Sequence, residues 1–594
     1  MNSRYFKWLK SGLLGTLALL GLNACSDDHF DISPSTAKES LWTQIASNPG
    51  LDSLKQILER TTFTLDEYSP TSEVLTYDKL LQSAQTFTVW APKDGTYNAQ
   101  YWLDMLNTEG GNRQVEKQFV RNHIARYNFS GVNGGDTIRV TMLNSKVNEY
   151  NLIDNTFKDV AIEGATQPAS NGSLHVLSGE AAFDPNLYEV IEVTGGLDSL
   201  YNFLHEDDTL MFDQGASTPG ATVDGEVQYV DSVFHISNTI IGSLNSWQNE
   251  DSIMLGVLPS NEAWEEALAK VSKYFNYKER YPYRNDGSTQ ILYNSFNVDS
   301  MRDVRMKNVI LSNVITSLGQ QPTYDETQSS LEYFKNWISS TDSLVRGGYA
   351  SLDNPNIYQP YLSQIFDGGE PMEVSNGFAY IVNNYNYLPS KSWHTTIRVE
   401  AESTYWQNVN GFASAAKENS ESLYYGQSVY LTSLNRNDSV KGYVSNNSFR
   451  YFPGSSSASQ PTVSFKIPNI QSGKYDIYVV MVPLNMNLPN QPDSVTKRNR
   501  FEATLTYDYN DRMGRDITQA AVNELDGSGY FETRAGVVDT ILLFRDFEFP
   551  YAFQGAEPSY PMIELKSVIR TAQQRADFDP ALYIDCFLFV GKDD

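Results

Sequence analysis

Ser170-Asn171-Gly172-Ser173-Leu174-His175-Val176-Leu177 sets a turn dipeptide ahead of an alternating apolar run, the pattern of a tight turn feeding a half-buried strand. Ser375-Asn376-Gly377-Phe378-Ala379-Tyr380-Ile381-Val382 repeats the arrangement, so the two copies read as the closing strands of two related domains. Two earlier landmarks recur in the same order. Leu51-Asp52-Ser53-Leu54 with Ile57-Leu58 returns as Leu197-Asp198-Ser199-Leu200 with Phe203-Leu204. Phe87-Thr88-Val89-Trp90-Ala91-Pro92-Lys93-Asp94 returns more loosely as Met254-Leu255-Gly256-Val257-Leu258-Pro259-Ser260-Asn261. Three landmarks in one order make a duplication.

Inside the first copy, Leu41, Trp42, Ile45, Leu51, Leu54, Ile57 and Leu58 fall at helical spacing, broken at Asn48-Pro49-Gly50, and predict two short amphipathic helices. Thr86 to Trp90 predicts a strand that Pro92 ends, with a helix following and Asp94 placed to accept from exposed backbone N–H groups. Val115, Phe119, His123, Ile124 and Tyr127 share one helical face, and Thr137-Ile138-Arg139-Val140 with the Asn144-Ser145 turn predicts a hairpin.

This order of parts resembles the fasciclin (FAS1) family, through Phe87-Thr88-Val89-Trp90-Ala91-Pro92, Asn122-His123-Ile124 and Asn171-Gly172-Ser173-Leu174-His175-Val176-Leu177. The resemblance implies compact α+β adhesion or binding modules rather than enzymes, one over residues 39–192 and a second over 193–392. The second keeps Asn376-Gly377 and Pro259 but has Val314 where the first has His123. Landmark spacing grows from 146 (Leu51 to Leu197) to 167 (Pro92 to Pro259) and 205 (Asn171 to Asn376), so the second copy carries insertions, which belong on surfaces. One insertion holds Tyr274, Tyr277, Tyr281, Tyr283 and Tyr293. Two readings stand for these rings: a ligand surface, or packing of the insertion onto its own domain or its neighbour.

After Leu388-Pro389 short alternating strands take over: Ile397 to Glu402, Thr462 to Pro468, Tyr475 to Val479 after a Ser472-Gly473 turn, and Tyr583 to Phe589. They predict a β-sandwich over residues 393–594. Val399-Glu400-Ala401-Glu402, Gly473-Lys474-Tyr475 and Ile584-Asp585 resemble galactose-binding-like jelly rolls such as family 6 carbohydrate-binding modules. That resemblance implies a structural calcium at Glu400, Glu402 and Asp585, with solvent-facing acids as the other reading, and a sugar platform near Trp406. The expected fold class is therefore multidomain, α+β and all-β: two fasciclin-like domains followed by a β-sandwich jelly roll.

The 594 residues suffice for several cores, and 44 Lys plus Arg against 72 Asp plus Glu give a net charge of -28, which repels nucleic acid. Arg4, Lys7 and Lys10 precede an apolar run from Leu13 to Leu22, too short to span a bilayer and typical of a signal peptide over residues 1–24. Leu22-Asn23-Ala24-Cys25 resembles the bacterial lipobox, which implies lipidation of Cys25. Residues 25–38 read as a tether, and Asp27-Asp28 resembles the surface-export signal of Bacteroidetes lipoproteins. Cys586, in an apolar run, reads as a buried inert thiol. The six histidines lack metal-ligand spacing, and no nucleophile elbow, phosphate loop or nucleotide fingerprint occurs, so no catalytic residue is expected. The expected function is glycan capture at the outer-membrane surface beside a polysaccharide importer, the alternative being adhesion or assembly through the fasciclin-like pair.

Overall fold

A computed structural model describes residues 38–63, 75–129, 137–223, 226–238, 240, 247–248, 250, 254–284, 291–317, 330–340, 343–346, 356–358, 361–402, 427–431, 442–454, 460–487, 497–510, 515–556 and 559–593. The chain divides into two compact units, Met1–Val190 with Leu204–Ser252 and Val374–Asn376, and Ile191–Phe203 with Ile253–Glu373 and Gly377–Asp594. The architecture is multidomain, with mixed α/β regions followed by an all-β region.

In the first unit, strand β1 (Phe87–Pro92) lies between β2 (Ile124–Arg126), antiparallel to it, and β3 (Gly172–Leu177), parallel to it. The β3 strand is buried along nearly its whole length, not half-buried as its alternation predicts. Apolar cores cover both faces of the sheet: Phe87, Val89 and Leu174 join the helices on one side, and Trp90, Phe157 and Leu177 pack on the other. Each such side chain contributes about 1.5–3 kcal/mol by leaving water.

Ser170 and Asn171 form the two-residue turn between the antiparallel strands Val160–Ala169 and Gly172–Leu177, the tight turn that the pattern predicts, and the Asn-Gly dipeptide does more than turn the chain. Gly172 (φ 145°) lies so close to β1 that a Cβ there would sit 1.7 Å from the Phe87 carbonyl oxygen. Asn171 is buried; its Oδ1 accepts from Leu41 N at 2.8 Å, at the start of the helix Leu41–Ser47, while Nδ2 donates to the Leu81 and Ser83 carbonyls. The dipeptide thus fastens the first helix to the central strand pair. Asn376 repeats the clamp within this unit, accepting from Leu187 N at the head of the helix Leu187–Val193 and donating to Trp247 O.

Two local expectations need correction. The helix after β1 starts at Ala99 under an Asn98 cap, and the Asp94 carboxylate accepts instead from Ser53 N, at the head of the earlier helix Asp52–Arg60. The helical face predicted from Val115 to Tyr127 ends at His123; the chain then enters β2, and Tyr127 lies beyond it, 58% exposed with φ 73°. The hairpin forms as predicted, with Thr137–Thr141 antiparallel to Val147–Asn151.

In the second unit β4 (Met254–Pro259) runs parallel to β6 (Gly377–Val382) and antiparallel to β5 (Ile315–Ser317), the arrangement of β1, β3 and β2. Gly377 (φ 142°) approaches Met254 as Gly172 approaches Phe87, with 1.9 Å from a built Cβ to the carbonyl oxygen. Asn261 takes the place of Asp94, its Oδ1 accepting from Ser199 N at 2.9 Å.

The all-β region consists of two antiparallel sheets. The first joins Gln427–Tyr430, β8 (Ser448–Phe452), β10 (Leu582–Gly591), β9 (Gly473–Met481) and Asp539–Phe549, with β7 (Ile397–Glu400) also on β10. The second joins Thr462–Lys466, Met562–Ser567, Arg500–Asn510 and Arg515–Ala520. Phe465 of the second packs against Phe452 and Phe587 of the first.

Candidate functional site: an acid and thiol cluster at a strand bulge

One edge of β10 serves two partners in turn, β8 opposite Leu582–Ile584 and β7 opposite Cys586–Phe589. Between them Asp585 is an extra residue, since Val480 pairs with Cys586 and Met481 with Ile584. A bulge of this kind re-aims side chains. It inverts the alternation of β10, so Tyr583 shares an apolar cluster with Cys586 and Leu588. It also brings the carboxylate of Asp585 beside the thiol of Cys586, with Sγ 3.9 Å from Oδ2.

Asp585 is 2% exposed and accepts from Ser445 N at 3.1 and 3.2 Å. Glu400 Oε1 accepts from Ser445 Oγ at 2.7 Å, and Arg398 donates to the same hydroxyl at 3.2 Å. Burial, reinforced by Glu400 and Glu402, pushes the Asp585 pKa up to about 7 against the favourable Ser445 bond. Burial also raises the Cys586 thiol, whose ionisation the neighbouring carboxylates oppose further. Among the described residues, nothing hydrogen-bonds the buried Oε2 of Glu400.

Ligand atoms of Glu400, Asp585 and Cys586 all lie within 4.8 Å of one another, a small cluster with the donors for a metal ion. Cys586 belongs to this cluster and Glu402 does not; the Glu402 carboxylate accepts from Ser448 Oγ. Cys586 is buried, as its place in an apolar run predicts, but nothing in the local composition announces the bulge that sets it beside Asp585.

The tyrosine insertion is mostly interior. Tyr274, Tyr277 and Tyr281 are buried, so they have no ring face to offer a ligand, and the ligand-surface reading is corrected for these three. The Tyr277 hydroxyl donates to Gln554 O at 2.8 Å and that of Tyr281 to Ala552 O at 2.6 Å, while the Tyr274 ring packs on His394 and Trp393. Ser472 N donates to Tyr274 O, and Ala552 N to Asn276 O. The insertion is therefore packed onto the first sheet of the all-β region. Tyr283 is half-buried and Tyr293 is 37% exposed under the Arg280 guanidinium, on the hairpin of Arg280–Arg284 and Ile291–Ser295. Cys25, tether residues 25–37 and Trp406 lie outside the described residues.

The histidines of the first repeat serve packing. His123 donates from Nδ1 to Phe119 O at 2.7 Å and accepts at Nε2 from Ala181 N at 3.0 Å, which fixes a neutral ring. Burial pulls its pKa down to about 4, and does the same to His175, which stacks on Trp90. Among the described residues no helix is long and apolar enough to cross a membrane.

No protein-family model matches the chain, and no curated protein does. Among solved structures it is similar to the FAS1 domain pair of the insect cell adhesion molecule fasciclin I, at 9% identity and a TM-score of 0.18, over 59% of this chain and 97% of that one. It is also similar to a Paenibacillus xanthan lyase, at 11% identity and a TM-score of 0.20, over 37% of this chain. The matched stretch is 16% of the lyase chain, well short of that protein's length.

Proposed function

We propose that this chain is an adhesion or assembly protein that contacts a protein partner through its duplicated repeats. The observation that supports this reading best is Tyr127. A bulky residue at φ 73° is strained, and here the backbone holds the strain: Tyr127 N donates to Thr86 O, and Tyr127 O accepts from Thr88 Oγ1. The residue so held presents a large amphipathic side chain to solvent, the side-chain type that anchors protein interfaces. A photo-crosslinking residue at position 127, in the anchored protein on cells, is expected to yield a discrete protein adduct, and Tyr127→Ala is expected to abolish adhesion of cells to partner-coated surfaces. Adhesion unchanged by Tyr127→Ala, with no adduct formed, would overturn the reading.

In this proposal the protein is anchored by lipid at Cys25 on the outer-membrane surface, and Cys25→Ala should leave the membrane fraction. The region after residue 392 is proposed as a jelly roll. Its cluster at Glu400 and Asp585 is proposed to hold calcium through carboxylate and Ser445 hydroxyl oxygens, the Cys586 thiol standing aside because burial keeps it protonated. Calcium is then expected to raise the melting temperature in a concentration-dependent way. Equal melting in millimolar calcium and in chelator would dispose of the ion.

Glycan capture beside an importer is the second reading. The stacked, half-buried pair Tyr451 and Tyr583 on one face of the first sheet favours it.

A further inference from the structure

Tyr451 on β8 and Tyr583 on β10 face each other in antiparallel register, their rings stacked with centroids 5.1 Å apart and planes 25° from parallel. Both are half-buried and belong with Phe449, Val480 and Leu588 to the apolar layer on one face of the first sheet, while Phe587 packs on Phe465 across the space between the sheets. The Asp585 bulge makes this layer continuous, since it brings Tyr583 and Leu588 to one face.

At the mouth of β10 stands Asp579. Its Oδ1 accepts from Ala581 N at 2.8 Å, its own N–H donates to Arg498 O at 2.8 Å, and Asn499 Nδ2 donates to Ala581 O at 2.6 Å, so the loop is fixed before any ligand arrives. The carboxylate is near enough to both rings to oppose ionisation of their phenols, adding to the effect of burial. Among the described residues, no protein group hydrogen-bonds the hydroxyls of Tyr451 and Tyr583 or Oδ2 of Asp579. An apolar ring pair with a fixed acceptor and two phenol hydroxyls at its margin matches the two sides of a sugar ring, C–H face and hydroxyl rim.

Charge narrows the ligand class. The ammonium of Lys497 beside Asp579 disfavours a cation, while a net charge of -28 on the chain disfavours a polyanion. We propose that Tyr451, Tyr583 and Asp579 form a subsite for a neutral sugar, the ring lying on the tyrosine pair and Asp579 Oδ2 accepting from its hydroxyls. The subsite rests on the glycan-capture reading.

The test uses the full-length lipoprotein in detergent, run by affinity gel electrophoresis against xylan, starch, β-glucan and galactan, with titration calorimetry on oligosaccharides of any polysaccharide that retards it. Tyr583→Ala and Tyr451→Ala are expected to weaken binding by roughly tenfold to a hundredfold, and Asp579→Asn, which keeps shape, by roughly tenfold. Tyr583→Phe keeps the stack and is expected to lose only a few-fold. Tyr281→Phe, buried elsewhere, should bind as wild type. Should an Ala variant prove misfolded by near-UV circular dichroism, Asp579→Asn and Tyr583→Phe decide. A retained glycan whose affinity none of these changes alters overturns the subsite and leaves glycan capture standing. Failure of the intact protein to bind any of the four overturns both.

Discussion

The two repeats build the same frame and fill it differently. Both set a parallel strand pair against a glycine with no room for a Cβ, both clamp a helix with the preceding asparagine, and both cap a second helix from the segment after the central strand. In the first, Trp90 and His175 face each other across the pair, Asn122 bonds Ala181 O, and His123 takes Ala181 N. In the second, Val257 faces Tyr380, which stacks on Phe366. Val314 replaces His123, and Asn313, the counterpart of Asn122, is bonded by Tyr385, Tyr387 and Ser392. Backbone geometry is therefore what the duplication retains, while interior chemistry has been rewritten around it.

The largest test of the shared part is Gly172→Ala alongside Gly377→Ala. Each adds a methyl group against a backbone oxygen at a φ that disfavours side chains, and each is expected to cost more than about 3 kcal/mol, read by chemical denaturation. A variant that unfolds with wild type would show that the close approach is not needed.

The difference between the repeats should show in acid. His123 and His175 have folded pKa values of about 4, below the unfolded value near 6.5, so stability from keeping them neutral is complete above pH 6.5 and is lost as pH falls toward 4. Each contributes on the order of 3 kcal/mol at the low end. Hydrogen exchange, corrected for intrinsic rates, is expected to lose protection in β1 and β3 over that interval ahead of β4 and β6. Parallel loss in both pairs would break the contrast.

The smallest effect belongs to the caps. Asp94→Ala and Asn261→Ala each remove an acceptor from a helix head and are expected to cost about 1 kcal/mol apiece by thermal melting. Unequal losses would mean that the two caps are not equivalent.

The sequence pattern showed the duplication, the strand landmarks and the change to β structure because each is a local regularity. Roles that depend on distant partners were hidden. Nothing around Tyr277 and Tyr281 indicates that their hydroxyls meet carbonyls of residues 554 and 552, so the sequence of this tyrosine-rich insertion left both a contact surface and packing open. Asp94 could be recognised as a cap, but chain order suggested the next helix, whereas the fold brings Ser53 to it. The cluster was half legible: Glu400 and Asp585 stand at the ends of their β region, but Cys586 joins them only through one residue's slip in register.

The parallel pairing at the centre of each repeat also constrains how the chain folds. Phe87 must find Gly172, and Met254 must find Gly377, so neither repeat can complete its central pair until almost all of it has left the ribosome. Such long-range closure slows folding. Chain-entropy scaling makes it tolerant of length, since each doubling of a loop costs only about 0.6 kcal/mol. The second repeat could therefore acquire its insertions at little thermodynamic cost, while the wait for its last strand lengthened.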